Sequence, residues 1–518
     1  MRRYAYIAIF MVVLALPLVL RALSGAAHTP GPANGAAGER LVIITPHPQD
    51  TRNEFRWAFA DWHQRNYGRR VDLEFLSPGG SNDIKRQLDN YYSQVRASHG
   101  GSLPPEDSMD VGIDLVWGGG DFYFDHDLKS LGILRPIPID PKLLAAAFAQ
   151  PTLAGAKLYD TDSVPPKWIG ICLSSFGIIY NPDLYQSMGL SAPAAWDDLA
   201  DPRLSGAVAL ADPTHSASAA VIYMIVIERA MADAQAQFLN QPQNRGMSAA
   251  ALQASPAYRS ALDAGWKRGM DELVLLAANA RYFSDSASRL PNDVASGDAA
   301  AGVAIDYYGR ATAQDVGPQR LRFVLPVGGT AISSDPIAVL YGVHGRQLEL
   351  AEHFIQYLLS PEGQRLWILQ AGQPGGPRQR ALHRMPIRRS VYADSTGWSD
   401  NLDYFTAAGQ FTQRPEWGAM LSDLRPIWAA AWIDSRDELR QAYAKILAVA
   451  DRQKRQALLD QLVDIPISRS DLSALIAARR KIESDPTQDP DQWKARQRLQ
   501  WARRFTEHYQ AVGATAQQ

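Results

Sequence analysis

Cysteine is almost absent from this chain. Cys172 stands alone among 518 residues, so no internal disulfide forms and no cysteine-rich metal site can be built. An excess of charge of one sign is missing too. Lys and Arg number 52 against 54 Asp and Glu, a formal net charge of −2. No global field draws such a protein to nucleic acid or to an anionic bilayer; whatever it binds, it binds through a local site. Nor does the chain carry a GxSxG elbow, an HExxH helix, a phosphate loop ending in Lys-Ser/Thr or a GxGxxG turn. The commonest sequence-readable enzyme sites are thereby excluded, although catalytic residues need not be neighbours in sequence. Internal repeats and low-complexity tracts are likewise lacking.

What remains is an ordinary globular composition, 46% hydrophobic and 20% charged, in a chain long enough for two or three domains. The one long uncharged apolar run is Tyr4–Leu20, behind Arg2 and Arg3 and ahead of small residues from Ala22 to Ala26. A basic start, an apolar stretch and small residues make a secretory signal, and the run is just long enough to span a bilayer as an uncleaved anchor. Residues 1–27 therefore read as signal peptide or signal anchor, with the remainder exported. No cysteine follows to carry a lipid. His28–Glu39, HTPGPANGAAGE, reads as a flexible tether, with folded structure from about Arg40.

Strand and helix patterns then alternate. LVIIT (Leu41–Thr45), Val71–Leu76 and Ile113–Trp117 read as strands, with helices over Asp50–Tyr67 and Asp83–Ala97. That spacing predicts a parallel α/β sheet with ligand sites beyond the carboxyl ends of its strands. Those ends carry His47, then Gly79-Gly80, then Gly118-Gly119-Gly120-Asp121. A second α/β pattern follows Pro165-Pro166. In it, Asp212-Pro213-Thr214-His215-Ser216-Ala217-Ser218 enters a helix and offers either an anion site or an ordinary N-cap. Asp121, Asp125, His126 and Asp127 read as a metal group or as a solvated helix start. GVAIDYYGRA brings Tyr307 and Tyr308 side by side. On a strand such neighbours point to opposite faces, so they converge on one ligand only where the strand ends and the chain bends, which Gly309 would allow.

Six segments occur in order over Leu41 to about Gln370: DLVWGGGDFYF, FGIIYNPDLY, WDDLADPRLSGAVALADPTHSAS, VASGDAAAGVAIDYYG, SSDPIAVLYG and AEHFIQYLLSPEGQRLW. Together they resemble the extracellular solute-binding proteins of ABC importers, in the branch that includes ferric-iron-binding proteins. The resemblance implies an α/β, two-lobed periplasmic-binding-protein-like fold (type II). Lobe 1 would comprise 40–177 and 338–384, and lobe 2 would comprise 178–337 including the crossing strands. It further implies a monomer that closes on cargo and delivers it to a membrane permease, without catalysis and without an organic cofactor.

In ferric-binding relatives a histidine, a carboxylate and two adjacent tyrosines hold the metal; the matching positions here are His47, Asp121, Tyr307 and Tyr308. Fe(III), as cargo, favours anionic oxygen donors. The glycine loop Gly118-Gly119-Gly120 departs from the iron pattern, and with Ser216, Ser218 and Arg310 it makes a phosphorylated sugar or an organic carboxylate the alternative cargo. A membrane-tethered sensor and a metal-dependent enzyme are the readings from other classes. Residues 385–518 fall outside the resemblance and read as a helical extension. Its tryptophans (Trp398, Trp417, Trp428, Trp432) would pack onto the first lobe. Its two amphipathic helices start at Ser468 with a capping box and continue over Ala495, Leu499, Ala502 and Phe505.

Overall fold

The computed structural model describes residues 39–326, 328–407, 420–465, 467–485 and 487–518. The apolar run Tyr4–Leu20, nearly all of the tether and Trp417 lie outside the described residues. Among the described residues no helix is long and apolar enough to cross a membrane.

In the first lobe β1 (Glu39–Ile44), α1 (Gln49–Tyr67), β2 (Val71–Leu76), α2 (Ser81–Ser98) and β3 (Leu115–Trp117) form parallel strand–helix–strand units. The first described strand starts one residue before Arg40, and Glu39 is fixed by the Arg346 guanidinium at 2.6 Å. The chain crosses to the second lobe along β4 (Ile169–Tyr180), which is buried over its whole length. There it builds β5 (Val208–Ala211), the paired helices α3 (Ala217–Asn240) and α4 (Pro256–Ala278), β6 (Ala280–Ser284), β7 (Ala301–Ile305) and α5 (Asp306–Val316). The extended stretch expected from Leu321 to Gly342 is two strands, β8 (Arg322–Val324) and β9 (Ile332–Val339), followed by α6 (Gly345–Leu359).

All but β8 lie in one path, β2-β1-β3-β9-β4-β7-β5-β6, with β8 on the side of β4. β9 runs antiparallel to both β3 and β4, and β4 antiparallel to β7. Both crossings therefore sit mid-sheet, each shared between lobes. This is the two-lobed type II arrangement. The cores divide between Leu173 and Phe176 on the way out and between Ala331 and Ile332 on the return. Both divisions fall earlier than the boundaries 177/178 and 337/338, because the crossing strands serve both cores and their apolar pattern runs on unbroken.

The extension corrects the expectation more strongly. α7 (Leu421–Ala429), α8 (Arg436–Leu447), α9 (Arg452–Val463), α10 (Arg469–Glu483) and α11 (Pro490–Thr515) close over the second lobe. Trp428 and Trp432 stack at 5.7 Å and meet Tyr223 of α3 edge-on; of these tryptophans, among the described residues, only Trp398 packs with the first core. The capping box forms as read, with the Ser468 hydroxyl accepting from Asp471 N at 3.1 Å and Asp471 Oδ2 accepting from Ser468 N at 2.8 Å. The buried face of α11 is Trp501, Phe505, Tyr509 and Val512, whereas Leu499 is 63% exposed. Large aromatics outcompeted the smaller apolar stripe for the interface.

Gly177 shows how closely the crossing is packed. An added Cβ would lie 2.3 Å from the carbonyl oxygen of Val324, a backbone atom that cannot step aside. Gly177→Ala is expected to destabilise the fold by about 1–3 kcal/mol, read as a lower denaturant midpoint at unchanged m. An unchanged midpoint would show that β4 and β8 are not so tightly apposed.

Candidate functional site

Between the lobes, beyond the carboxyl ends of β1, β2 and β3 on one side and β5 and β6 on the other, lies a cavity of ≈ 1020 Å³. Its lining includes His47, Gly119, Gly120, Asp121, Ser216, Ser218, Tyr307 and Tyr308. Two expected positions, Gly118 and Arg310, are not on the wall. Gly118 acts from behind it: its φ is +92° and a Cβ there would lie 2.6 Å from His47 Cε1. The glycine loop thus makes room for a protein ring, the imidazole of His47. Arg310 is taken up by Asp400 at 2.9 Å and covers the Phe323 ring at 5.2 Å, so the anion contact assigned to it is withdrawn.

His47 sits in the Pro46–Pro48 loop just past β1, with its side chain 2% exposed. The Thr45 hydroxyl meets Nδ1 at 2.8 Å and Asp335 Oδ2 meets Nε2 at 2.8 Å. Both ring nitrogens are engaged. Burial depresses the imidazole pKa against the pull of Asp335, so the ring is neutral and donates through Nε2. Asp335, on β9, also accepts from Gly119 N at 2.9 Å and pairs with the Arg384 guanidinium. Burial opposes its charge, but Arg384 and His47 outweigh that and hold the carboxyl well below the usual carboxylate range. Arg384 in turn lies 3.8 Å over the centre of the Tyr307 ring.

The two tyrosines do converge, with ring centroids 4.1 Å apart, but not by a glycine bend. β7 ends at Ile305 and both residues fall in the first turn of α5. Gly309 is helical, and its missing Cβ admits the Phe323 ring, which would lie 2.5 Å from it. Burial raises the pKa of both phenols, Tyr307 well above its ordinary value with Tyr308 adding to the shift. Asp121 accepts from the Ser333 hydroxyl at 2.7 Å, and burial pushes its carboxyl up to about 6 against that hydrogen bond.

The acidic cluster resolves differently from its sequence. Asp125 joins Asp160 and Asp162 within 4.8 Å, yet Lys129 and Lys157 fill the space between them at 2.8–3.4 Å. Asp127 pairs with Lys85 at 3.1 Å. Two ammonium groups already supply the charge a metal would bring.

Helix ends complete the cavity. Ser81 and Asn82 open α2 in the first lobe; Ser216 caps α3 in the second, its Oγ accepting from Ala219 N at 3.3 Å and lying 3.3 Å from Ser218 Oγ. Asn82 Nδ2 donates to Thr214 O at 3.1 Å, tying the two ends together across the cleft. On the opposite side a second set of links joins the lobes: Tyr404 donates to Asp306 at 2.5 Å, and His383 bridges Asp400 at 2.8 Å and Gln314 at 2.5 Å. The residues missed from sequence are Asp335, Ser333 and Arg384. Asp335 stood inside SSDPIAVLYG, and a lone acid opening an apolar strand was the available signal. Arg384 is one of five arginines between positions 378 and 389, and nothing in the sequence set it apart from the others.

Residues 127–388 match the family model of bacterial extracellular solute-binding proteins, and the chain belongs to that family. Among its curated relatives, the phosphoglycerate transport regulatory protein PgtC of Salmonella typhimurium is 26% identical over 229 residues, 42% of this chain and 48% of the relative. The chain thus spans about half the length of that relative. Among solved structures, the periplasmic binding protein AfuA from Actinobacillus pleuropneumoniae with fructose-6-phosphate bound is 18% identical, covering 76% of this chain and 98% of that one at a TM-score of 0.47. Iron-bound HitA from Pseudomonas aeruginosa is 16% identical, covering 75% and 99% at 0.46.

Asp121 gives a pH test. Its folded pKa lies above the 3.8 of an ordinary aspartate, so its contribution to stability is present at pH below about 4 and lost as pH rises through 6. Asp121→Asn has no such loss. The variant is expected to gain on the wild-type protein in thermal midpoint between pH 4 and pH 8; a gap that stays constant would mean the carboxyl titrates normally.

Proposed function

We propose that this protein is the extracytoplasmic cargo-binding component of an ABC-type importer, and that its cargo is a small organic anion bearing a phosphate or carboxylate. It holds that cargo unchanged, as a monomer, and passes it to a membrane permease. The observation that carries the reading is that one helix N-terminus from each lobe, at Ser81–Asn82 and at Ser216–Ser218, opens into the same cavity. Unpaired N–H groups and the positive helix end favour an anion there, and closure of the lobes brings both to one ligand. The name of PgtC, which associates that relative with phosphoglycerate transport, is in keeping with such a cargo.

The same cavity supports Fe(III) as the second reading, because His47, Asp121, Tyr307 and Tyr308 all line it. Three features weigh against it. Both nitrogens of His47 are engaged, the negative charge of Asp335 is already matched by Arg384, and a guanidinium over Tyr307 occupies the side from which a trivalent cation would gain most. A ferric site needs several anionic donors with no competing cation.

Purified protein titrated with inorganic phosphate, glycerol 3-phosphate and 3-phosphoglycerate is expected to bind at least one of them one-to-one, with a raised thermal midpoint and the ligand recovered intact by phosphorus NMR. A saturating visible tyrosinate-to-iron band on Fe(III) addition, with no response to the anions, would overturn the reading in favour of iron.

A further inference from the structure

The cavity wall does not end with the two lobes. Beyond residue 388, outside the family match, the extension supplies Leu421 and Arg425 of α7 to the same cavity. The two are four residues apart and share one helix face. α7 packs on α3, whose Ser218, Val221 and Met224 also line the cavity. Steps of three keep those side chains on one face, and six residues of helix make a wall of about 9 Å. Along it the lining changes from hydroxyl and N–H at the helix start to aliphatic at Val221, Met224 and Leu421, and then to the guanidinium of Arg425.

Arg425 differs from the other cations on the wall. Arg384 is matched by Asp335, Lys157 by Asp125, Arg86 by Asp83 and Arg498 by Asp434. Among the described residues no carboxylate pairs with Arg425, and its buried Nε has no hydrogen-bond partner. Glu228, an acid on the same wall, is engaged in a contact of its own. Burial lowers the pKa of Arg425, with only the more distant charge of Asp127 opposing. A guanidinium taken out of water without a partner is costly, and its planar fork is shaped to receive a carboxylate or phosphate in two parallel hydrogen bonds.

We propose that Arg425 is a specificity-determining ligand contact, selecting organic anions with two acidic groups: one at the N-terminus of α3, the other at Arg425, and an uncharged middle against Val221, Met224 and Leu421. This rests on the anion reading above and deepens it. The extension is then part of the binding site, and the cargo is a phosphate monoester carrying a distal carboxylate.

Calorimetry on the full chain with matched probe pairs tests this. 3-Phosphoglycerate is compared with glycerol 3-phosphate, and 6-phosphogluconate with glucitol 6-phosphate; within each pair the carboxylate is replaced by a hydroxymethyl group. The wild-type protein is expected to prefer the carboxylated member of at least one pair by roughly 10- to 100-fold, the worth of a charge-assisted hydrogen bond. Arg425→Met should abolish that preference and Arg425→Lys should keep part of it, since ammonium retains the charge and loses the fork. Equal binding of both members by the wild-type protein would overturn the proposal and leave the anion reading standing. So would a preference that survives Arg425→Met. If the wild-type protein binds none of the four, this proposal fails, and the phosphate and Fe(III) titrations above decide the anion reading separately. The wild-type comparison needs no substitution, so a methionine variant that does not fold still leaves the proposal open to refutation.

Discussion

A single carboxylate organises the centre of this molecule. Asp335 is buried where the returning strand passes from the second lobe to the first, and it gathers His47 from the first strand's loop, Gly119 from the third and Arg384 from just ahead of the short strand Met385–Pro386, which pairs with β4. A charge so far from water persists only when matched and hydrogen-bonded. Each partner therefore has its place dictated: the imidazole must tilt toward β9, the glycine loop must present an N–H, and the guanidinium must lie flat. Once Arg384 is flat, Tyr307 has a cation against its ring, and the face of the cavity is set. Removing one partner while keeping the others would strand a buried charge, at about 3–5 kcal/mol.

That arrangement also decides which sign of ligand the centre can welcome. A ferric site and an anion site can be lined by the same side chains, since histidine, aspartate and tyrosine serve both. The difference lies in what the carboxylate is already doing. With Asp335 spent on Arg384 and His47 held neutral between two partners, little uncompensated negative charge is left for a trivalent cation. The helix ends, by contrast, each have one N–H taken by a side chain of the protein, Gly80 N by Asp83 and Ala219 N by Ser216, and the rest of each first turn directs its field toward the cavity.

Much of this could be read from the sequence, and the limits have physical causes. The first three strands and their helices were legible because burial on one or two faces imposes a strict period on short segments. The residues at strand ends were legible for the same reason: topology alone sends His47, Gly119 and Asp121 to one edge. Which way a side chain points from a loop is a different matter. Arg310 follows the tyrosine pair and Arg384 is one of five arginines between positions 378 and 389; nothing local to either tells its partner, yet Asp400, 90 residues away, claims one and Asp335 claims the other. Tyr307 and Tyr308 converge through a helix turn that begins earlier than the apolar run suggested. The extension was misplaced because amphipathic helices declare that they pack, not onto what.

The extension's position has a consequence in time. The first core closes with residues up to Tyr404, whereas the second draws on residues from Phe176 to Ala331 and again from Leu421 to Val512. A chain emerging N-terminus first completes one lobe while the other still presents the bare flank of α3, with Tyr223 waiting for Trp428 and Trp432. The wall of the cavity that carries Arg425 is made only after both crossing strands and the whole first core. A product broken off before α7 would own both crossing strands and the buried carboxylate, and yet its cavity would stand open along the flank of α3.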